Sequence, residues 1–357
     1  MSSGKVSRYN IHGFCTFDIL DNSGYMSEAT VDVQQRYQYF KTDYDPALPP
    51  DMRVVIEGFE PNVEGCTVLD DSYWIKKGYL YFSGERYKMG ARWSFDVSGL
   101  DGGVIELRIA ANLLGRPFIA GRIISFFIYY LLQRQGCSLL HASAAARDGE
   151  AFLFAARGGG GKTTLALAAA FSKDMNFMGD NFVILKDGLI YSYLSDLNMF
   201  GYNLHPRVWR SLTKFERIRF RMFAVIHRLT FGYIKIFSSV SPLRFLEGSL
   251  CDSAPLKRLS LMKTWKEYSV NSLTREDLIA SMTSNMKLEF FSFVRHTAAY
   301  ACRFPESTMA SLWEAYSDQL VTNLPVDVLL QLITVPEQIT DEIKAKALAA
   351  SIEESAA

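Results

Sequence analysis

Residues 152–170 run Phe-Leu-Phe-Ala-Ala, then Arg and four consecutive glycines, then Lys-Thr-Thr, then Leu-Ala-Leu-Ala-Ala-Ala. The apolar run reads as a buried strand, and the Ala/Leu run as a strong helix former. Glycines between them permit the positive φ angles that turn backbone N–H groups toward an anion. The helix that follows adds the positive end of its dipole at the same point. A flexible linker would not sit between two such elements, so the predicted feature is a phosphate cradle. Its register is the G-x-x-x-x-G-K-[ST] pattern. Ala156 stands at the first glycine, followed by Arg157, Gly158, Gly159, Gly160, Gly161, Lys162, Thr163 and Thr164. Lys162 is placed to reach the β- and γ-phosphates, and the Thr163 hydroxyl to coordinate Mg²⁺. The cofactors expected are therefore ATP and Mg²⁺.

Such a loop works with a carboxylate that serves the metal or the attacking hydroxyl. Asp180, in Gly179-Asp180-Asn181, lies at the end of the strand expected after the loop's helix. Flanking Gly and Asn also suit a plain turn, but the loop nearby favours the functional role, as catalytic base and metal ligand. Asp196 and Glu150 are weaker candidates that read as surface acids. His141 precedes a strand leading back to the loop, which raises it above an ordinary core histidine.

The chain has 357 residues, 49% of them apolar and 21% charged, which suits folded domains with substantial cores. Lys plus Arg total 38 and Asp plus Glu total 38. No net charge draws the chain to nucleic acid, and such a partner would need a local patch. Five scattered cysteines with no CxxC pair argue against a zinc site or a disulfide framework. A reducing cytoplasm is the expected compartment. The N-terminus lacks a signal-peptide core. The greasiest run, Ile123 to Leu132, is too short for a bilayer and reads as a buried helix.

Three regions are expected. Residues 1–115 hold short alternating runs separated by turn residues, which suggests a mostly antiparallel sheet. Residues 116–336 open with a helix to about 135 and contain the loop. Two strand pairs turn at Asp148-Gly149 and Asp187-Gly188. Further on lie a strand at 255–262 and helices near 274–283 and 306–318. Residues 337–357 read as a peripheral helical tail. Between Pro206 and Lys235 lie eight Lys/Arg against the single acid Glu216, mixed with Trp209, Phe215, Phe220, Phe223, Phe231 and Tyr233. Three readings stay open there. The favoured one is an amphipathic helix with its apolar face on the core; the others are a lid for an anionic substrate and a contact with an acidic membrane.

The run 139–185, with weaker similarity over roughly 138–318, resembles the catalytic domain of HPr kinase/phosphorylase and related bacterial kinases. Its elements are His141 before a strand-turn-strand, the Ala156–Thr163 loop, and Asp180-Asn181 before a strand. The resemblance implies an α/β (α+β overall) fold with a P-loop kinase core related to phosphoenolpyruvate carboxykinases, here with a strand-rich N-terminal domain. It implies that Asp180 is the base that deprotonates a substrate hydroxyl and that His141 lies near the transferred phosphate. It also suggests a homo-oligomer. Many relatives carry two neighbouring acids where this chain has Gly179-Asp180-Asn181. The segment that recognises HPr is not found, so HPr is not the expected acceptor.

The expected activity is therefore an ATP- and Mg²⁺-dependent kinase acting on a hydroxyl, either a Ser of a protein or peptide or a small molecule. The alternative is an ATPase or nucleotide-gated switch with no phospho-acceptor. Intact Lys162, Thr163 and Asp180 argue against a scaffold that has lost catalysis.

Overall fold

The computed structural model describes residues 6–22, 28–86, 90–116, 119–157, 160–172, 175–200, 204–231, 233, 236–336 and 340–352. The chain is a mixed α/β protein built on two large sheets.

The first sheet has nine strands: β1 (Val6–Ile11), β2 (Cys15–Asp21), β3 (Lys41–Thr42), β4 (Met52–Ile56), β5 (Thr67–Leu69), β6 (Tyr73–Lys76), β7 (Tyr79–Arg86), β8 (Arg92–Ser98) and β9 (Ile105–Ala111). Their order is β3-β1-β2-β4-β9-β8-β7-β6-β5. Alternation sets the buried face: in β8, Trp93, Phe95 and Val97 point inward. A hairpin turns at Lys77-Gly78 between β6 and β7, with Gly78 at φ +71°. The centre differs from the expected antiparallel pattern, because β2, β4 and β9 run parallel. Parallel neighbours need a crossover. Between β2 and β4 the chain passes through α1 (Glu28–Tyr37), whose Val33 and Tyr37 are buried.

One turn of π-helix (Ile119–Ile124) then leads into α2 (Ser125–Arg134), which is buried along nearly its whole length. The buried helix expected at Ile123–Leu132 is present. No described helix is long and apolar enough to cross a membrane.

The second sheet begins with β10 (Ser138–Leu140), β11 (Ala142–Arg147) and β12 (Glu150–Ala156). After α3 (Lys162–Ser172) come β13 (Asn176–Gly179), β14 (Val183–Lys186) and β15 (Leu189–Tyr191). A separate two-stranded ribbon joins β16 (Leu197–Phe200) to β17 (Phe237–Val240), with α4 (Pro206–Ser211) and α5 (Lys214–Leu229) between them. The long β18 (Ser253–Thr264), β19 (Ser269–Ser272), α6 (Arg275–Glu289), α7 (Phe291–Arg303), α8 (Leu312–Asn323), β20 (Leu329–Val335) and α9 (Asp341–Ile352) complete the chain. The sheet order is β10-β14-β15-β18-β12-β11-β13, with β20 on β18 and β19 on β20. Both Asp-Gly hairpins take left-handed φ at both turn positions, +53° and +81° at 148–149 and +49° and +79° at 187–188, which matches the twist of the flanking strands.

The larger core runs without a break from the first sheet through α2 into α7 and α8. Phe293 of α7 stacks on Phe126 at 4.0 Å and on Phe95 at 5.8 Å. In the same wall Tyr73 meets His296 at 3.1 Å, and the Tyr300 hydroxyl accepts from the Gly78 amide at 2.7 Å.

Two expectations are corrected. The C-terminal helix is not peripheral: Ala347, Leu348 and Ile352 of α9 enter the second core with Leu165, Ala169 and Met262. In the 206–235 stretch, Val208, Leu212 and Phe220 are buried, whereas Phe215, Ile218, Met222, Val225 and Leu229 face solvent. The favoured reading of an apolar face packed on the core therefore holds for only a narrow strip. The side of α5 that meets the protein holds one fully buried residue, Phe220, and most of this helix's apolar side chains lie on another side.

Candidate active site

The site lies at one end of the second sheet. Strand β12 runs up to the loop, parallel to β18 and antiparallel to β11. Strand β13 runs antiparallel to β11, with Gly179 opposite Ala144. This brings the C-terminal ends of β12 and β13 beside the start of β11. The loop, Asp180 and His141 thus converge although they are far apart in sequence.

The loop is tight. The Gly160 amide donates to the Arg157 carbonyl at 2.9 Å, Gly161 sits at φ +85°, and the Leu165 amide donates to the Gly161 carbonyl at 3.0 Å to start α3. A Cβ at Gly160 would come within 2.8 Å of the Ala156 methyl. That contact explains why glycine is needed at 160, while Ala156 fits as the last buried residue of β12. Gly158 and Gly159 lie outside the described residues. The Arg157 side chain is exposed and Thr164 is half-buried.

Lys162 and Thr163 open α3. The Thr163 hydroxyl lies 2.8 and 2.9 Å from the two carboxylate oxygens of Asp180. Ser143, fully buried on β11, donates its hydroxyl to the same carboxylate. The sharp turn that presents Asp180 depends on its neighbours. A Cβ at Gly179 would meet the Phe182 carbonyl at 2.9 Å and the Tyr193 carbonyl at 3.1 Å, and Asn181 takes φ +66°. Asn is among the residues that tolerate this conformation best.

Lys162 is buried, and burial lowers its pKa, with Asp180 and Glu289 working against that shift. His141 is pushed down to about 3 by burial and by Lys162. It is a neutral imidazole at pH 7, so its 3.6 Å approach to Glu289 Oε2 is not an ion pair. The Glu289 carboxyl is raised by desolvation, against the lowering effect of Lys162, Arg122 and Arg36.

The sequence-derived residues Lys162, Thr163, Asp180 and His141 therefore share one site. Two others were not foreseen. Ser143 follows His141 by two residues, a spacing that puts side chains on one strand face, and that alternation could have flagged it. Glu289 ends α6, more than a hundred residues downstream, and carries no local signal. The weaker acids lie elsewhere: Glu150 pairs with Lys257 at 3.1 Å at the far end of β12, and Asp196 acts on Arg244. No cluster of three or more His, Cys, Asp or Glu suited to a metal occurs among the described residues. Thr163 and Asp180 are hard oxygen donors of the kind Mg²⁺ takes, and Mg²⁺ commonly uses only one or two protein ligands beside phosphates and water. No family model matches the chain, and no curated protein matches it in sequence.

Proposed function

We propose that this protein is an ATP- and Mg²⁺-dependent kinase, built on a P-loop core of the HPr kinase type, that transfers the γ-phosphoryl group to a hydroxyl. The acceptor is a Ser of a protein or peptide, or a small molecule. The observation that carries this reading is the direct contact between the Thr163 hydroxyl and the Asp180 carboxylate beside a buried Lys162. A plain structural turn at Asp180 gives no reason to hold the first residues of a glycine-loop helix against a buried carboxylate.

Phosphoryl transfer depends mainly on positioning and charge neutralisation. In this reading the amides of the loop and of the first turn of α3 hold the polyphosphate, and Lys162 neutralises charge on the transferred group. Bound Mg²⁺ would supply further neutralisation, with Thr163 and Asp180 as the residues that hold it. Asp180 also accepts the acceptor's proton, and Ser143 fixes the carboxylate's orientation. His141, being neutral, contributes hydrogen bonding rather than charge.

The test incubates the purified protein with γ-labelled ATP, Mg²⁺ and a lysate or metabolite pool, and then identifies the labelled species. Label on an acceptor hydroxyl supports the proposal. Release of labelled inorganic phosphate alone makes the protein an ATPase or switch instead. Lys162→Ala abolishes ATP binding or turnover; parent-like behaviour of that variant means the site is wrongly assigned.

A further inference from the structure

The solvent-facing side of α5 has a consistent composition. Phe215, Ile218, Met222, Val225 and Leu229 recur at spacings of three and four and form one exposed stripe. The stripe spans about 21 Å of helix rise. Lys214, Arg221 and Arg228, seven residues apart, line one edge, and all three are exposed. Glu216, the helix's single acid, is tied to Arg244 at 2.7 Å and to the Thr213 cap, away from the stripe. Beyond the C-cap, Phe231 takes φ +49° with its ring 99% exposed, and Tyr233 is 93% exposed. A left-handed conformation at this position usually falls to glycine; here it presents a bare aromatic ring.

We propose that α5, with Phe231 and Tyr233, rests on the surface of an anionic bilayer. An interfacial helix has an apolar stripe bordered by Lys and Arg, with aromatic residues at the headgroup level. A second copy of the chain is a poor occupant. Antiparallel pairing through this stripe sets Lys214, Arg221 and Arg228 against their own counterparts, with no exposed acid on the helix to offset them. The stripe also covers little more than two heptads, short of a coiled-coil seam.

The placement suits access to the site. Phe171, in the last turn of α3, stacks on His205 at 4.3 Å, and His205 caps α4. That contact lies nine residues, about 14 Å of helix rise, from Lys162. The start of α4 thus packs at the end of α3 opposite the glycine loop.

The test pellets the full-length protein with phosphatidylcholine vesicles, with and without phosphatidylserine. Partitioning is expected on the phosphatidylserine vesicles, falling as salt rises. Arg221→Gln with Arg228→Gln lowers that partitioning roughly thirtyfold. Phe215→Ser with Leu229→Ser abolishes it without shifting the unfolding midpoint, because both side chains are exposed in the folded protein. Absence of binding to phosphatidylserine vesicles overturns the proposal, as does equal binding to both vesicle types. Vesicle binding that survives the serine pair also overturns it. A dimer that the serine pair dissolves, without vesicle binding, assigns the stripe to a second copy and overturns it too.

Discussion

The hydroxyl of Thr163 lies within 2.9 Å of both carboxylate oxygens of Asp180, a residue seventeen positions further along the chain. Ser143 approaches the same carboxylate from β11. Three elements therefore meet on one buried acid, and the consequences of removing its charge are specific.

Asp180→Asn keeps the shape and can still accept from Thr163, but it loses the charge and the basicity. Acceptor phosphorylation is expected to fall by about a thousandfold, while ATP affinity stays within a few fold. Initial rates and equilibrium nucleotide binding separate the two effects. A rate equal to the parent's removes the base role.

Glu289 stands against His141 and Lys162, yet 42% of its side chain is exposed. Glu289→Gln should therefore leave thermal stability nearly unchanged, since substitutions at exposed positions stay within about 0.5 kcal/mol. The transfer rate should nonetheless drop by about tenfold or more, because the change alters the charge beside Lys162. An unaltered rate places Glu289 outside the working site.

Two buried imidazoles make the fold acid-sensitive. His141 and His296 are both depressed from 6.5 to about 3, chiefly by burial. Between those values the unfolded chain binds more protons than the native one. The stability each contributes is therefore complete above pH 6.5 and is lost as pH falls toward 3, at up to about 1.4 kcal/mol per pH unit for each. Urea unfolding at a series of pH values should show stability declining below pH 6.5. His296→Gln should remove about half of that slope between roughly pH 6 and pH 5, above the range where carboxylates protonate. A flat profile there contradicts the buried neutral state.

Leu348→Ala tests the C-terminal helix. Its side chain lies in the second core with α3 and β18, so truncation should cost about 2–4 kcal/mol in urea unfolding. A loss below about 0.5 kcal/mol would return the helix to the surface.

Several features were legible because they are local. The Asp-Gly hairpins, the buried helix at 123–132 and the strand-glycine-helix unit each follow from conformational preferences of adjacent residues. Other features were not. The parallel pairing of β2, β4 and β9, the helix α7 and the docking of α9 depend on which surface each segment meets. The solvent-facing stripe of α5 shows the limit most clearly. Its period marks an amphipathic helix, but the same period arises whether the apolar side turns toward the core or away from it.

From the chain alone came the glycine loop, its lysine and threonine, and the acid and histidine placed near it. Those rest on backbone freedom and short-range spacing, which act within a few residues. Only the tertiary arrangement decided that Ser143 and Glu289 join them, that His141 is neutral, and which side of α5 meets water. These depend on burial and on distances between segments far apart in sequence, and solvent exclusion is a property of the packed whole.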